Sequence, residues 1–173
     1  MKKLNEWIFR RNLQKHACGT TGFPHWDKVR AIIVLYESDI MEKNPFIKQV
    51  VTELQAEGKD VTTMGYVNRK DVSSAILPQS RILGTKDFNI FGDLRSDVHD
   101  DIRKRRYDLL IDLSLSSVLP LRYMALYLRA DFKAGCGSAA GIHNLMIDVP
   151  VQAGQVVLFQ EIIRYLKMIK SND

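Results

Sequence analysis

Continuous apolar runs alternate along this chain with amphipathic stretches, and the alternation predicts strands separated by helices. Ala31–Tyr36, AIIVLY, is an unbroken apolar run rich in β-branched residues, as expected of a strand buried on both faces. Asn44 and Pro45 open a helix, Asn44 as its cap and Pro45 where a missing N–H costs nothing. Phe46, Val50, Val51 and Leu54 give that helix a buried stripe, and Gly58 ends it. Asp60–Val67 reads as a second strand, so the unit is the right-handed crossover of parallel sheets. Further on, Leu109–Leu113 is a central strand and Val118–Arg129 a helix with Pro120 in its first turn. Phe132–Gly135 and Leu145–Val149 are short strands. Val156–Ile169 is the closing helix, with Val157, Phe159, Ile162, Ile163, Leu166 and Ile169 turned inward.

The middle of the chain carries weaker patterns. Asp71–Leu77 fits a short helix stopped by Pro78, Phe88–Phe91 a brief strand, and Ser96–Arg106 a polar helix with Val98 and Ile102 inward. At the start, residues 2–15 form an amphipathic helix with Leu4, Trp7 and Ile8 at helical spacing, and residues 17–26, ACGTTGFPHW, form a linker. Repeated strand–helix alternation predicts a three-layer, Rossmann-like, doubly wound α/β fold with a mostly parallel sheet of five or six strands. Residues 1–26 would be an N-terminal amphipathic arm and linker, and residues 27–173 one domain.

Composition changes this picture little: 46% hydrophobic and 26% charged residues are ordinary for a globular protein. No apolar run reaches the roughly 18 residues of a membrane span. Glu6, Arg10, Arg11 and Lys15 interrupt the apolar residues at the start, so there is no signal-peptide core and a cytoplasmic location is expected. Cys18 and Cys136 lack any paired spacing, so neither a zinc site nor a disulfide framework is indicated, and no metal or cofactor is expected. Charge is placed unevenly. Lys2, Lys3, Arg10, Arg11, Lys15, Lys28 and Arg30 face only Glu6 and Asp27 within residues 1–30, while the rest of the chain balances 18 basic against 18 acidic side chains.

Open α/β sheets bind ligands at the C-terminal ends of their strands, which picks out three clusters. Asp112, Ser114, Ser116 and Ser117 follow the central strand, where hydroxyls and free helix N–H groups can hold an anion; alternatively, Ser116 or Ser117 simply caps the helix. Gly135, Cys136, Gly137 and Ser138 let backbone approach a ligand, and His143 could activate the Cys136 thiol; a tight turn around a small thiol is the plainer reading. Glu37, Ser38 and Asp39 end the first strand; their carboxylates could bind a metal with help from Asp112 or Asp93, or simply face water. No Walker motif and no GxGxxG follows a predicted strand. The arm, with Lys2, Lys3, Trp7, Arg10, Arg11 and Lys15, suits an anionic membrane surface, or packs Leu4, Ile8 and Leu13 on its own domain or on a partner; nucleic acid is disfavoured because the excess charge is confined to the arm. Arg103-Lys104-Arg105-Arg106 follows Asp97, Asp100 and Asp101, a charge order that complements a helix dipole.

Tyr107–Leu113, YDLLIDL, then a helix, then Ala130–Gly135, ADFKAG, resembles the N-terminal Rossmann-like half of heptosyltransferase-like glycosyltransferases of the GT-B kind. The resemblance covers roughly 100 residues, is specific over about 30, and speaks to fold more than function. Those enzymes bind their sugar nucleotide through a C-terminal domain with no counterpart here, and their early glycine-rich turn is replaced by Glu37-Ser38-Asp39. The whole chain looks more like a small bacterial family of unknown function that keeps only this half. The expectation is a non-catalytic binding or accessory domain for a small anionic ligand or for a protein or membrane partner. The alternatives are a transferase-like or thiol-dependent enzyme at the C-terminal strand edge, and a dimer-forming structural protein.

Overall fold

The structure is a computed structural model that describes residues 1–16, 22–38, 44–70, 72, 79–137 and 141–169. Its strands are β1 (Ala31–Glu37), β2 (Asp60–Tyr66), β3 (Ser80–Leu83), β4 (Arg106–Asp112), β5 (Arg129–Cys136) and β6 (Leu145–Ile147). All neighbouring pairs are parallel, in the order β3-β2-β1-β4-β5-β6. This is the doubly wound order, and it reverses direction between β1 and β4, the switch point at which such sheets form a crevice outside the strand C-termini. The helices are α1 (Lys2–His16), α2 (Pro45–Ala56), α3 (Ser96–Ile102), α4 (Leu119–Tyr127) and α5 (Gly154–Met168).

Residues Ile32 to Tyr36 of β1 are all buried because helices cover both faces of the sheet. Strand alternation sends Ile33 and Leu35 toward α4 with Leu110, Leu121 and Met124, and Ile32 and Val34 toward α2 and α5 with Val50, Leu54, Leu158 and Ile162. Asn44 caps α2 as its sequence predicts, its Oδ1 accepting from the Phe46 N–H at 3.1 Å, and Gly58 takes the left-handed turn after it with φ 77°.

The N-terminal helix lies on the sheet's α4 face. Phe9 is fully buried, edge-on to Tyr123 with ring centroids 4.9 Å apart, and the Arg122 guanidinium sits 4.1 Å over its ring. Arg122 also pairs with Glu6 at 2.6 Å, and Leu13 packs against the backbone at Gly141. Residues 137–144, between β5 and β6, are fewer than the dozen or so that a crossover helix needs. By lying beside Tyr123 and Ile142, α1 supplies a helix on that face. Of the contacts expected within the domain, Leu13 packs on the core and Ile8 is half-buried, but Leu4 is 48% exposed and the fully buried anchor is Phe9; Trp7 is 58% exposed.

Other differences have local causes. Phe88–Phe91 is no strand; Phe88 makes only an isolated antiparallel bridge to Leu94. Asn89 Oδ1 accepts from the N–H groups of Phe91 at 2.9 Å and Asp93 at 3.2 Å, so the apolar residues sit in an Asx-type turn. The outer strand is instead Ser80–Leu83, added to β2. α3 stops at Ile102, and β4 starts at Arg106; Lys104 pairs with Asp101 and Arg105 with Asp60, so the basic run serves several partners beyond the helix end. In α5 the inward stripe is Leu158, Phe159, Ile162 and Leu166, while Val157 is exposed. The helix expected over Asp71–Leu77 lies outside the described residues except for Val72, which is buried. Most of the predicted linker, with Cys18, also lies outside them.

Candidate functional site at the strand ends

Two predicted clusters meet at the crevice between β1 and β4. Glu37, the last residue of β1, accepts a hydrogen bond from the Ser116 hydroxyl at 3.0 Å. Ser38 beside it is buried, its N–H donating to the Tyr66 carbonyl at 2.9 Å. Ser117 is exposed next to Ser116. Neither serine caps α4, whose N-cap is Val118 with no side-chain bond, so the capping alternative does not hold. The Gln155 side chain donates to the Leu113 carbonyl at 3.2 Å and ties the start of α5 to this edge.

Directly behind the crevice, Asp112 closes β4 and is buried. Its Oδ1 accepts from the Ser114 N–H at 3.0 Å and from the Ser114 hydroxyl, which folds the turn after the strand back on itself. Its Oδ2 lies 3.0 Å from His143 Nε2, and the two side chains are 5% and 1% exposed. A carboxylate at Nε2 fixes the proton there, which leaves Nδ1 of the neutral ring as an acceptor. Nδ1 is buried and has no hydrogen-bond partner among the described residues.

Gly135 makes room for this pair. A Cβ on it would stand 2.7 Å from both Cε1 and Nε2 of His143 and 3.0 Å from the Asp112 Cβ. Gly135→Ala is therefore expected to push the imidazole off the carboxylate and destabilise the fold by about 1–3 kcal/mol, the usual cost of overpacking. Urea unfolding measures it, and an unchanged midpoint would show that the pair tolerates displacement. Gly137 is similarly tight, its Cβ position 2.6 Å from Asp148 Oδ1.

Cys136 and His143 do not form the pair considered above. Successive residues of a strand face opposite ways. Gly135 faces His143, whereas Cys136 is buried with Ile147 and Leu158 in the layer toward α5. Ser138 and Asp39 lie outside the described residues. Among the described residues no group of three His, Cys, Asp or Glu side chains is placed to hold a metal. Asp93 accepts from the Tyr127 hydroxyl at 3.2 Å and from Asn12 at 3.4 Å, and burial holds its carboxyl above the ordinary range. The arm residues Lys2, Lys3, Trp7, Arg10, Arg11 and Lys15 are all exposed along α1.

The Asp112–His143 pairing is the feature that periodicity does not reveal, since 31 positions and two strands separate its members. A glycine inside β5, facing the end of β4, is the one sequence signal of it. A separate groove of about 730 Å³ runs between α2 and the outer strands, lined by Tyr36, Ile47, Val51, Val61, Thr63 and Ser80.

The parallel sheet in this order, with polar side chains gathered at its switch point, defines a Rossmann-like α/β protein. The chain belongs to a family of unknown function, DUF6913, which it matches over residues 2–169. No curated protein and no solved structure matches it. Among the described residues no helix is long and apolar enough to cross a membrane.

Proposed function

We propose that this protein is a non-catalytic binding domain that takes a small polar ligand at the β1–β4 switch point. The carrying observation is the Glu37–Ser116 contact, made from both sides of the crevice by side chains that solvent can reach. Behind it, Asp112, Ser114 and His143 hold the turn that presents Ser116 and Ser117. Among the described residues, Glu37, Asp112 and Asp148 put carboxylates near these strand ends. They repel an anion and favour ligand hydroxyl or ammonium donors, so a polyol or amine suits this edge better than the phosphate or carboxylate expected from the serines alone. A binding role rather than catalysis is supported by the burial of the Cys136 thiol and the His143 imidazole on opposite faces of β5.

Calorimetry with a panel of neutral polyols, amines and their anionic analogues tests this. A neutral or cationic member binds, and Glu37→Ala weakens it about tenfold, the worth of one hydrogen bond to a charged group. Binding that prefers the anionic analogues, or that Glu37→Ala leaves unchanged, would remove the switch point as the site.

A partner surface on α1 is supported separately. Trp7 and Leu4 are exposed beside Lys3 and Arg11, and the Arg11 guanidinium lies 5.8 Å from the Trp7 ring centroid. A basic rim around apolar groups suits an anionic lipid surface. Co-sedimentation with vesicles containing phosphatidylserine, lost in Trp7→Ser and absent with neutral vesicles, is the expected result; equal sedimentation of both proteins would exclude it.

A further inference from the structure

The N-terminal edge of the sheet carries the opposite charge, and we propose that a hollow there binds a phosphate group. The cavity is about 270 Å³ and is lined by His16, Arg103, Arg106, Arg129, Asp131 and Lys133, together with backbone and side chains from the end of α4. Four separate segments supply these groups: His16 ends α1, Arg103 follows α3, Arg106 opens β4 and Arg129 opens β5. Their convergence follows from the topology, because parallel strands start at one edge and the helices on the α4 face run back to it.

The charges do not cancel. Arg106 is engaged by Asp131, with its Nε 2.6 Å from Oδ1. Lys133 is buried, and its ammonium donates to the carbonyls of Ala125 at 2.6 Å and Leu126 at 3.1 Å, closing the end of α4. Among the described residues Asp131 is the only carboxylate that lines the cavity. Arg103 and Arg129 make no hydrogen bond or ion pair through their side chains among the described residues. The surplus is felt by His16, whose pKa is lowered first by burial and next by the neighbouring Arg103 charge. Two unengaged guanidinium forks on one small polar hollow match the oxygens of a phosphate monoester, which arginine binds in paired, parallel hydrogen bonds. The volume falls just below the usual range of about 300–1,000 Å³ for sites that enclose a whole drug-sized ligand, so the hollow fits a phosphate and the few atoms beside it. That group could belong to a soluble phosphorylated metabolite or to a phospholipid headgroup. This site is independent of the switch point and stands or falls without it.

Two arms test it with the full chain. In the first, calorimetry measures glycerol 3-phosphate and inorganic phosphate against the wild type, Arg103→Ala, Arg129→Ala and the double variant. Both arginines reach solvent, so these variants are expected to fold, and circular dichroism checks that they do. In the second, the same proteins, each carrying Trp7→Ser so that α1 does not itself hold an anionic surface, are sedimented with phosphatidylcholine vesicles with and without phosphatidic acid. The expected result is binding of the phosphate ester or of the phosphatidic acid vesicles, weakened about tenfold or more by each alanine and abolished in the double variant, with Glu37→Ala unaffected. Binding in the first arm makes the source a soluble metabolite; binding confined to the second makes it a lipid headgroup. Absence of binding in both arms, or binding that the double variant retains, overturns the proposal.

Discussion

Asp112→Ala is expected to destabilise the protein by about 3–5 kcal/mol, because it leaves several buried donors unsatisfied at about 1–3 kcal/mol each. The carboxylate serves three donors at once: the Ser114 N–H, the Ser114 hydroxyl and His143 Nε2. Its loss strands all three in a region where both side chains of the pair are at most 5% exposed. His143 would then have no partner at either ring nitrogen, since Nδ1 already lacks one. Asp112→Asn should fall between wild type and alanine, because an amide oxygen can still accept from Ser114 while its NH2 opposes the proton on Nε2. Urea midpoints of the three proteins measure the order. A loss below about 1 kcal/mol for the alanine variant would place the pair among ordinary surface contacts.

Phe9→Ala should be comparably damaging, at about 3–5 kcal/mol for a fully buried aromatic ring. Phe9 is where α1 enters the core, between Tyr123 and the Arg122 guanidinium. Truncation leaves a cavity there and frees Arg122, whose remaining partner is Glu6. The helix should detach, so limited proteolysis should cut within residues 1–26 far faster than in the wild type. Leu4→Ala and Trp7→Ala provide the contrast, because both side chains are exposed and each should change stability by no more than about 0.5 kcal/mol. If all three substitutions act alike, α1 is not anchored through Phe9.

These two positions also show where the sequence informs and where it is silent. The β1 run and the capped α2 helix are legible because strand burial and helix capping are local properties of AIIVLY and Asn44-Pro45. The polar shelf at the end of β4 was legible too, because a strand-end rule points to Asp112 and the serines after it. Phe9 was missed because α1 carries apolar residues on two faces, and nothing local tells which face meets the sheet. β3 was missed because Ser80–Leu83 is short and polar at its start, while the more apolar Phe88–Phe91 is held in a turn by one asparagine side chain. The partner of His143 could not be read from spacing. Its nearest cysteine faces the other side of β5, and its true partner ends a different strand. The excess charge counted in residues 1–30 likewise concealed the basic hollow, whose arginines are scattered through the balanced part of the chain.

The central claim is that the β1–β4 switch point is the binding edge. It is tested most directly by following backbone amide resonances while titrating the tightest polyol or amine from the calorimetric panel. The account predicts shifts at Glu37, Ser38 and residues 114–117, with weaker ones at His143 and Gln155 behind them. Shifts confined to the groove between α2 and β3, at Ile47, Val51, Val61 and Ser80, would contradict it and move the ligand to the other cavity.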